Sequence, residues 1–424
     1  VAPFFALKIY KIINVYIFSL LTYYVLVLNP IKLWGSGMRI LKDISVSAVL
    51  AGFVAVLVGF SSSVAIVFHA ADALMLSDSI KISWIVALGI GMATTGFCLS
   101  LYYRAPVVTA WSTPGAALLA TSLEGASYPE AIGAFIFSAL LMVLVGVTGM
   151  FNRLVALIPL PIACAMLAGI LLQFGLSIFT SLQSEMLMVV TMTLGYLLSK
   201  KVYPRYAILV VLFIGFAYLV LDNDVVFNNP SFTIGALIWT SPEWNLGAIL
   251  GVGLPLFLVT MSSQNIPGAA VLKVNGYQVP ASSLVGWTGV ASMVLAPFGG
   301  YAISLAAITA AICTGDESHP DKTKRYVAGL SAGLFYLLAA VFASSIVVLF
   351  ASLPIEMVAA LAGLALLGTI GNNIRTALDP EETREAALIT FLMTASGASL
   401  FGIASAFWGI VFGVICLIIQ KKWR

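Results

Sequence analysis

The sequence predicts an all-α polytopic membrane protein of 14 transmembrane segments, arranged as two inverted repeats of seven. Three observations predict it: a composition suited to lipid as solvent, a one-sided distribution of basic residues between successive loops, and an internal repeat.

Of the 424 residues, 61% are hydrophobic and 9% charged, against roughly 45–50% and about 25% in soluble proteins. A mean hydropathy of +1.08 and repeated apolar runs of about 20 residues match helices that span a bilayer. The net charge of +3 is scattered along the chain, which excludes the clustered basic face that nucleic acid requires. Cys98, Cys164, Cys313 and Cys416 sit in apolar segments without CxxC spacing and read as packing residues. His69 and His319 lie 250 positions apart, outside any ligand motif, so neither a metal site nor a cofactor is expected.

Apolar segments run at about 46–70, 82–103, 106–121, 129–151, 159–180, 185–199, 205–222, 246–275, 282–296, 299–314, 324–351, 355–372, 384–399 and 401–420. With the residue before the first segment on the cytoplasmic side, sixteen basic residues fall inside and only Lys81 outside. One missed span would scramble every later loop, so this asymmetry supports the count and places both ends of the core in the cytoplasm. The loop at 223–245, with Asp224 and Glu243 and no basic residue, belongs outside. Upstream, residues 9–28 are apolar but no small-residue cleavage site follows them. Residues 1–37 are expected to be an extension, native or not, that carries nothing functional.

ALIPLPIACAMLAGILL (156–172) and FASLPIEMVAALAGLALL (350–367) share Leu-Pro-Ile followed by Ala-Gly and a Leu-rich run. Pro161 and Pro354 are 193 positions apart, Ser62 and Ser263 201, and Pro106 and Pro297 191. The repeats are thus 38–222 and 246–424, and an odd number of segments in each forces opposite orientations, the plan of secondary transporters.

Two segments are short and open with Pro and Gly. Irregular backbone survives in a bilayer only where it lines protein or a cavity, so these breaks mark the expected site. In RAPVVTAWSTPGAALLATSLEG (104–125) an extended stretch over 106–111 leads to Ser112 or Thr113 as N-cap, with Pro114 in the first turn of a half-helix. In APFGGYAISLAAITAAICTG (296–315), Pro297, Gly299 and Gly300 are expected to form the extended part and the helix to start near Tyr301. Two half-helix N-termini facing mid-membrane suit an anion. GFSSSVAIVF (59–68), with Ser62, and LVTMSSQNIPGAAVL (258–272) add polar groups at mid-depth. Ser262, Ser263, Gln264 and Asn265 precede Pro267 and Gly268, a further expected break, and read as substrate contacts or as an interhelical polar clamp. Every Asp, Glu, Lys and Arg falls in a loop or near a span end. A monovalent carboxylate with an apolar body therefore fits better than a divalent anion, and Trp111, Phe298 and Tyr301 flank the break for a ring.

Two motifs are set aside. Gly329-Leu330-Ser331-Ala332-Gly333 matches GxSxG but lies mid-helix without His or Asp partners, which argues against a hydrolase built on Ser331 and for helix packing. Gly89, Gly91 and Gly96 lie inside an apolar helix, which argues against a dinucleotide site. His69, beside Asp72, is a proton relay or a partly hydrated interfacial histidine.

PVVTAWSTPGAALL (106–119), LPLFLVTMSSQNIPGAA (254–270), ITAAICTGDESHPD (308–321), LAGLALLGTIG (361–371) and SAFWGIVFG (405–413) closely resemble the BenE family of benzoate–proton symporters. The resemblance runs from Met38 to the C-terminus. It implies uptake of benzoate or a similar aromatic carboxylate with protons across the inner (plasma) membrane, and a fold similar to the uracil and xanthine permeases and sulfate-type carriers. It further implies a core domain (about 46–151 plus 246–351) that carries substrate, a gate domain (about 159–222 plus 355–420), and a homodimer formed through the gate. Where nucleobase carriers of that fold place glutamates, this chain has Ser263, Gln264 and Asn265, and Gly300, Tyr301 and Ala302. Nucleobases are thereby disfavoured and the proton carrier is left open, including a carboxylate that crosses with its own proton. An anion exchanger or channel of the same fold is the alternative.

Overall fold

A computed structural model of the chain describes residues 42–61, 63–123, 125–151, 159–202, 207–222, 235–306, 308–316, 318–398, 400–401, 403 and 405–422. Ser62, the extension 1–37 and most of the loop at 223–245 lie outside the described residues. The first half holds α1 (Val46–Ser61), α2 (Val64–Ala73), α3 (Asp78–Tyr103), β1 (Thr109–Trp111), α4 (Thr113–Ser122), α5 (Tyr128–Thr148), α6 (Leu160–Thr180), α7 (Met186–Val202) and α8 (Ala207–Asp222). The second holds α9 (Leu246–Lys273), α10 (Ala281–Leu295), β2 (Ile303–Leu305), α11 (Ile308–Thr314), α12 (Tyr326–Val341), α13 (Ala343–Ala351), α14 (Ile355–Leu378), α15 (Arg384–Ala395) and α16 (Ser405–Lys422).

Among the described residues seven helices are long and apolar enough to cross a membrane, and there is an eighth if Lys322–Val341 and Ala343–Phe350, bent by 65°, form one span. The chain is a multi-pass membrane protein. Large apolar side chains such as Val147, Leu198, Phe213 and Leu221 are exposed on its outer faces, as lipid contact allows. Cys98, read as a packing residue, is also exposed, because a thiol is apolar enough for a lipid-facing position.

Local sequence sets the helix ends. Ser127 and Glu130 form a reciprocal capping box at the start of α5, each side chain taking the other's backbone N–H. In α9, the turns Ile249–Gly253 and Met261–Asn265 are π-helical, and each is followed two residues later by a proline, Pro255 and Pro267. A proline lacks the N–H for its own turn and its ring clashes with the carbonyl four residues back. Widening the preceding turn relieves both, so the predicted break at Pro267 is taken up within a helix that runs on.

The helices pack in two sets. α3 lies on α12, α5 on α10, and α1 on α12 and α11; separately, α6 lies on α14 and α15, α15 on α16, and α7 on α8. The sets meet where α4 and the second π turn of α9 touch α6, where α9 touches α16, and where α2 touches α14. The GxSxG stretch is part of this packing, since Gly329 and Gly333 face Ser100 and Phe97 of α3.

Backbones approach closely where α5 crosses α10, since a Cβ on Gly146 would collide with the backbone of Gly286. Gly146→Val is expected to destabilise the fold by roughly 1–3 kcal/mol, read as a lower melting temperature in detergent. Gly371→Val, where a Cβ meets nothing within 4 Å, is the matched control and should melt close to the unsubstituted protein.

Candidate functional site

The two broken segments meet as an antiparallel pair of strands, Thr109 opposite Leu305, Ala110 opposite Ser304 and Trp111 opposite Ile303. Two strands leave two open edges, and side chains close them. On the β1 side, Trp111 N–H donates to Met92 Sδ at 3.1 Å and Thr109 Oγ1 donates to Met92 C=O at 2.9 Å. On the β2 side, Ile303 N–H donates to Ser292 Oγ at 2.8 Å and Leu305 N–H to Asn265 Oδ1 at 3.0 Å. These bonds replace the water that the bilayer interior lacks.

The first break matches its expectation. Ser112 caps α4, its Oγ accepting from Gly115 N–H at 3.1 Å, and Pro114 lies in the first turn. The cap uses most of the donors. Gly115 N–H is taken by Ser112 Oγ, Ala116 N–H by Ser112 C=O, and Pro114 has none, so Thr113 keeps the open first-turn N–H among the described residues. Thr113 is half-buried, and Ser112 is fully buried, with its N–H on Ala302 C=O at 3.0 Å.

The second break is displaced from its expected position. Ala296–Phe298 finishes α10 as a 3₁₀ turn, and Gly299, at φ +91°, ends it in the left-handed conformation with its N–H on Ala296 C=O. The extended part is 303–305 and the half-helix begins at Ile308, not near Tyr301. Gly at a left-handed cap reads in sequence like any Gly in a loop, which is why the expectation fell short. Gly300 and Tyr301 therefore do not stand at a half-helix tip. Tyr301 is fully buried, its ring centroid 5.7 Å from that of Trp84 and 5.9 Å from that of Phe135, with its hydroxyl unpartnered among the described residues. Ala302, at φ +35°, holds a strained conformation for a residue with a Cβ.

The polar quartet divides by role. Asn265 is fully buried and clamps β2, whereas Ser262, Ser263 and Gln264 are half-buried on the π turn that faces α6. Ser262 and Ser263 donate to carbonyls one turn back, Leu258 at 2.8 Å and Val259 at 2.5 Å, leaving their oxygens as acceptors. The Gln264 amide has no hydrogen-bond partner among the described residues. Trp111 is an anchor: its Nε1–H donates to Ser63 Oγ at 2.9 Å and its ring meets Phe60 edge-on at 5.0 Å. Ser63, one place beyond the predicted Ser62 in the same Ser-Ser-Ser run, and Thr260, which donates to Ser112 Oγ at 3.0 Å, are not singled out by the sequence because residue type alone does not say which hydroxyl of a polar stretch meets a partner.

Away from this junction, His69 is half-buried with its ring edge on Phe174 of α6, centroids 5.9 Å apart. Asp72 pairs with Lys81 at 2.6 Å. The seven-residue α11 is held at its far end by Arg325, which is buried and donates to the carbonyls of Thr314 at 2.7 Å and His319 at 2.6 Å while pairing with Asp316. Beside it, Thr323 donates its hydroxyl and its N–H to Asp321, and these bonds hold the Asp321 carboxyl below its usual range. A surface cavity of about 440 Å³ lies elsewhere, at Leu160, Pro161, Asn372, Arg375 and Asp379, and none of the predicted site residues lines it.

Ser112→Ala removes the α4 cap and the acceptor of Thr260. It is expected to cost about 2 kcal/mol of stability, measured by thermal melting, whereas Ser122→Ala at the other end of α4 should have no comparable effect.

Comparison with known proteins gives the family. The family model for "Benzoate membrane transport protein", BenE, matches residues 42–419. The chain is 48% identical over 370 residues to "Inner membrane protein YdcO" of Escherichia coli, covering 87% of this chain and 95% of that one. It is 46% identical over 384 residues to "Benzoate membrane transport protein" of Acinetobacter baylyi, covering 90% and 97%. Among solved structures, SLC26A9 superposes with a TM-score of 0.59 at 14% identity, over 90% of this chain and 67% of that one. The murine Slc26a9 anion transporter in its inward-facing state gives 0.55 at 13% identity, over 89% and 69%. Those two likenesses concern the fold. With a family match that spans nearly all the described residues, the chain belongs to the BenE family of membrane transporters.

Proposed function

We propose that this transporter takes up benzoate, or a close aromatic monocarboxylate, together with protons by alternating access. One observation carries the reading: the capped half-helix, with one open N–H and the half-buried Thr113, is bonded through Ser112 to Thr260, the residue that precedes the π turn carrying the unpartnered Gln264 amide, and both elements touch α6. Neutral donors and a helix N-terminus suit one carboxylate and offer nothing to balance a second negative charge. The name of the Acinetobacter baylyi relative supplies the aromatic body.

The same reading gives each half seven segments, 14 in all, once α8, α16, α7, α15 and the two broken segments are counted with the long helices. The set containing α1–α5 and α9–α13 is the moving core, and the set containing α6–α8 and α14–α16 is the gate, through which two copies pair. Both ends of the core lie in the cytoplasm, as the sixteen-to-one placement of basic residues requires. The membrane is the inner one, as the name of the Escherichia coli relative suggests.

The test is uptake of labelled benzoate by purified protein in proteoliposomes, with and without an inward proton gradient, against a protonophore control and empty vesicles. Saturable, gradient-driven uptake above the passive flux of benzoic acid is expected; uptake equal to that of empty vesicles would overturn the substrate. Gradient-independent uptake with counterflow would replace symport by exchange. Gln264→Ala is expected to raise KM about tenfold or more, the scale of a hydrogen bond to a charged group. Gln173→Ala, on the exposed face of α6 with its amide on Ala395 C=O, should leave uptake unchanged.

A further inference from the structure

We propose that Thr260 and Asn265 are the positioning residues of this site and set its width, an inference that rests on the benzoate reading. Both are fully buried. They flank the half-buried Ser262–Ser263–Gln264 segment, and each bonds to a different broken segment: Thr260 Oγ1 donates to Ser112 Oγ at the α4 cap, and Asn265 Oδ1 accepts from Leu305 N–H of β2. In an α-helix, residues five apart point about 140° away from each other. Here the intervening turn Met261–Asn265 is π-helical, closed by bonds five residues apart, and such a turn brings residue i+5 back over residue i. The wide turn thus lets both side chains reach the broken segments, while the turn itself touches α6.

The Gln264 amide is therefore placed relative to the α4 cap on one side and to β2 on the other by two buried hydrogen bonds of 3.0 Å. Neither Thr260 nor Asn265 touches the substrate, and both act through the spacing they impose. Loss of either bond frees one half-segment to shift, which changes how wide a ring fits beside the carboxylate as well as how tightly it is held.

Thr260→Val keeps the volume and removes the donor, and Thr260→Ser restores the donor. Labelled benzoate uptake in proteoliposomes, competed by 4-methylbenzoate, gives KM and the selectivity between the two acids, and melting of each variant is measured alongside. Thr260→Val is expected to raise the benzoate KM about tenfold and to reduce its preference over 4-methylbenzoate severalfold, with both values restored in Thr260→Ser. Asn265→Asp, which keeps the acceptor, should stay closer to the unsubstituted protein in selectivity than Asn265→Leu. A merely structural role would lower the melting temperature with selectivity unchanged, and that result overturns the inference. Unchanged KM and selectivity in Thr260→Val overturn it as well. An unsubstituted protein without saturable benzoate uptake overturns the benzoate reading first, and this inference with it.

Discussion

Backbone that leaves helical geometry inside a bilayer must find partners for its N–H and C=O groups, and in this chain two such stretches meet and pair at one place. β1 and β2 pair with each other, and the edges they leave open are closed by Met92, Ser292 and Asn265 from three separate helices. That requirement locks α3, α9 and α10 around a two-stranded crossing that could not stand alone in water. It also explains why Ala302 persists at φ +35°: its C=O is held by Ser112 and the following N–H by Ser292. A strained residue fixed on both sides has no cheaper conformation to reach.

Much of this was legible in the sequence, and the parts that were not share a cause. Ser112 before Pro114 after a β-branched stretch is a local signal, and the first broken segment has the predicted form. The second has no such cap. Its Gly299 terminates a helix where it was expected to begin an extended run, so its half-helix starts seven residues later than expected. The Ser-Gln-Asn cluster was visible as a polar interruption, but its division of labour was not. Asn265 reaches β2 and Thr260 reaches the α4 cap because the turn between them is π-helical, whereas a sequence read at 3.6 residues per turn points those two side chains about 140° apart. The span count lies between these cases, since the long helices announce themselves by hydropathy and the broken and shorter segments do not.

The proposed site is neutral, and that has a kinetic meaning for a carrier. A buried Arg or Lys beside the substrate would hold a carboxylate strongly in both orientations and would itself have to be moved through a low-dielectric region. Under the proposed function, one open N–H, a hydroxyl, an amide and a half-helix N-terminus would hold it more weakly, and release is as necessary to transport as capture. Among the described residues the buried cation is Arg325, at the far end of α11, where it satisfies the carbonyls of Thr314 and His319 and is paired with Asp316. There it steadies a helix of seven residues, too short to be stable unaided, without adding a charge to the pathway.

Under the proposed mechanism, the bonds that define the site all lie on one side of the surface that must slide. Thr260 with Ser112, Asn265 with Leu305, and Trp111 with Ser63 join elements of the set containing α1–α5 and α9–α13. Across the junction to α6 the observed ring contact is Phe174 edge-on to His69, and no hydrogen bond is seen from α4 or the π turn to α6 among the described residues. Strong, oriented bonds within one set and soft contacts between the sets let a preformed site travel as a unit. The π turn of α9 and the residue before it belong to both requirements, since Thr260 and Asn265 anchor the two half-segments and the turn between them touches α6.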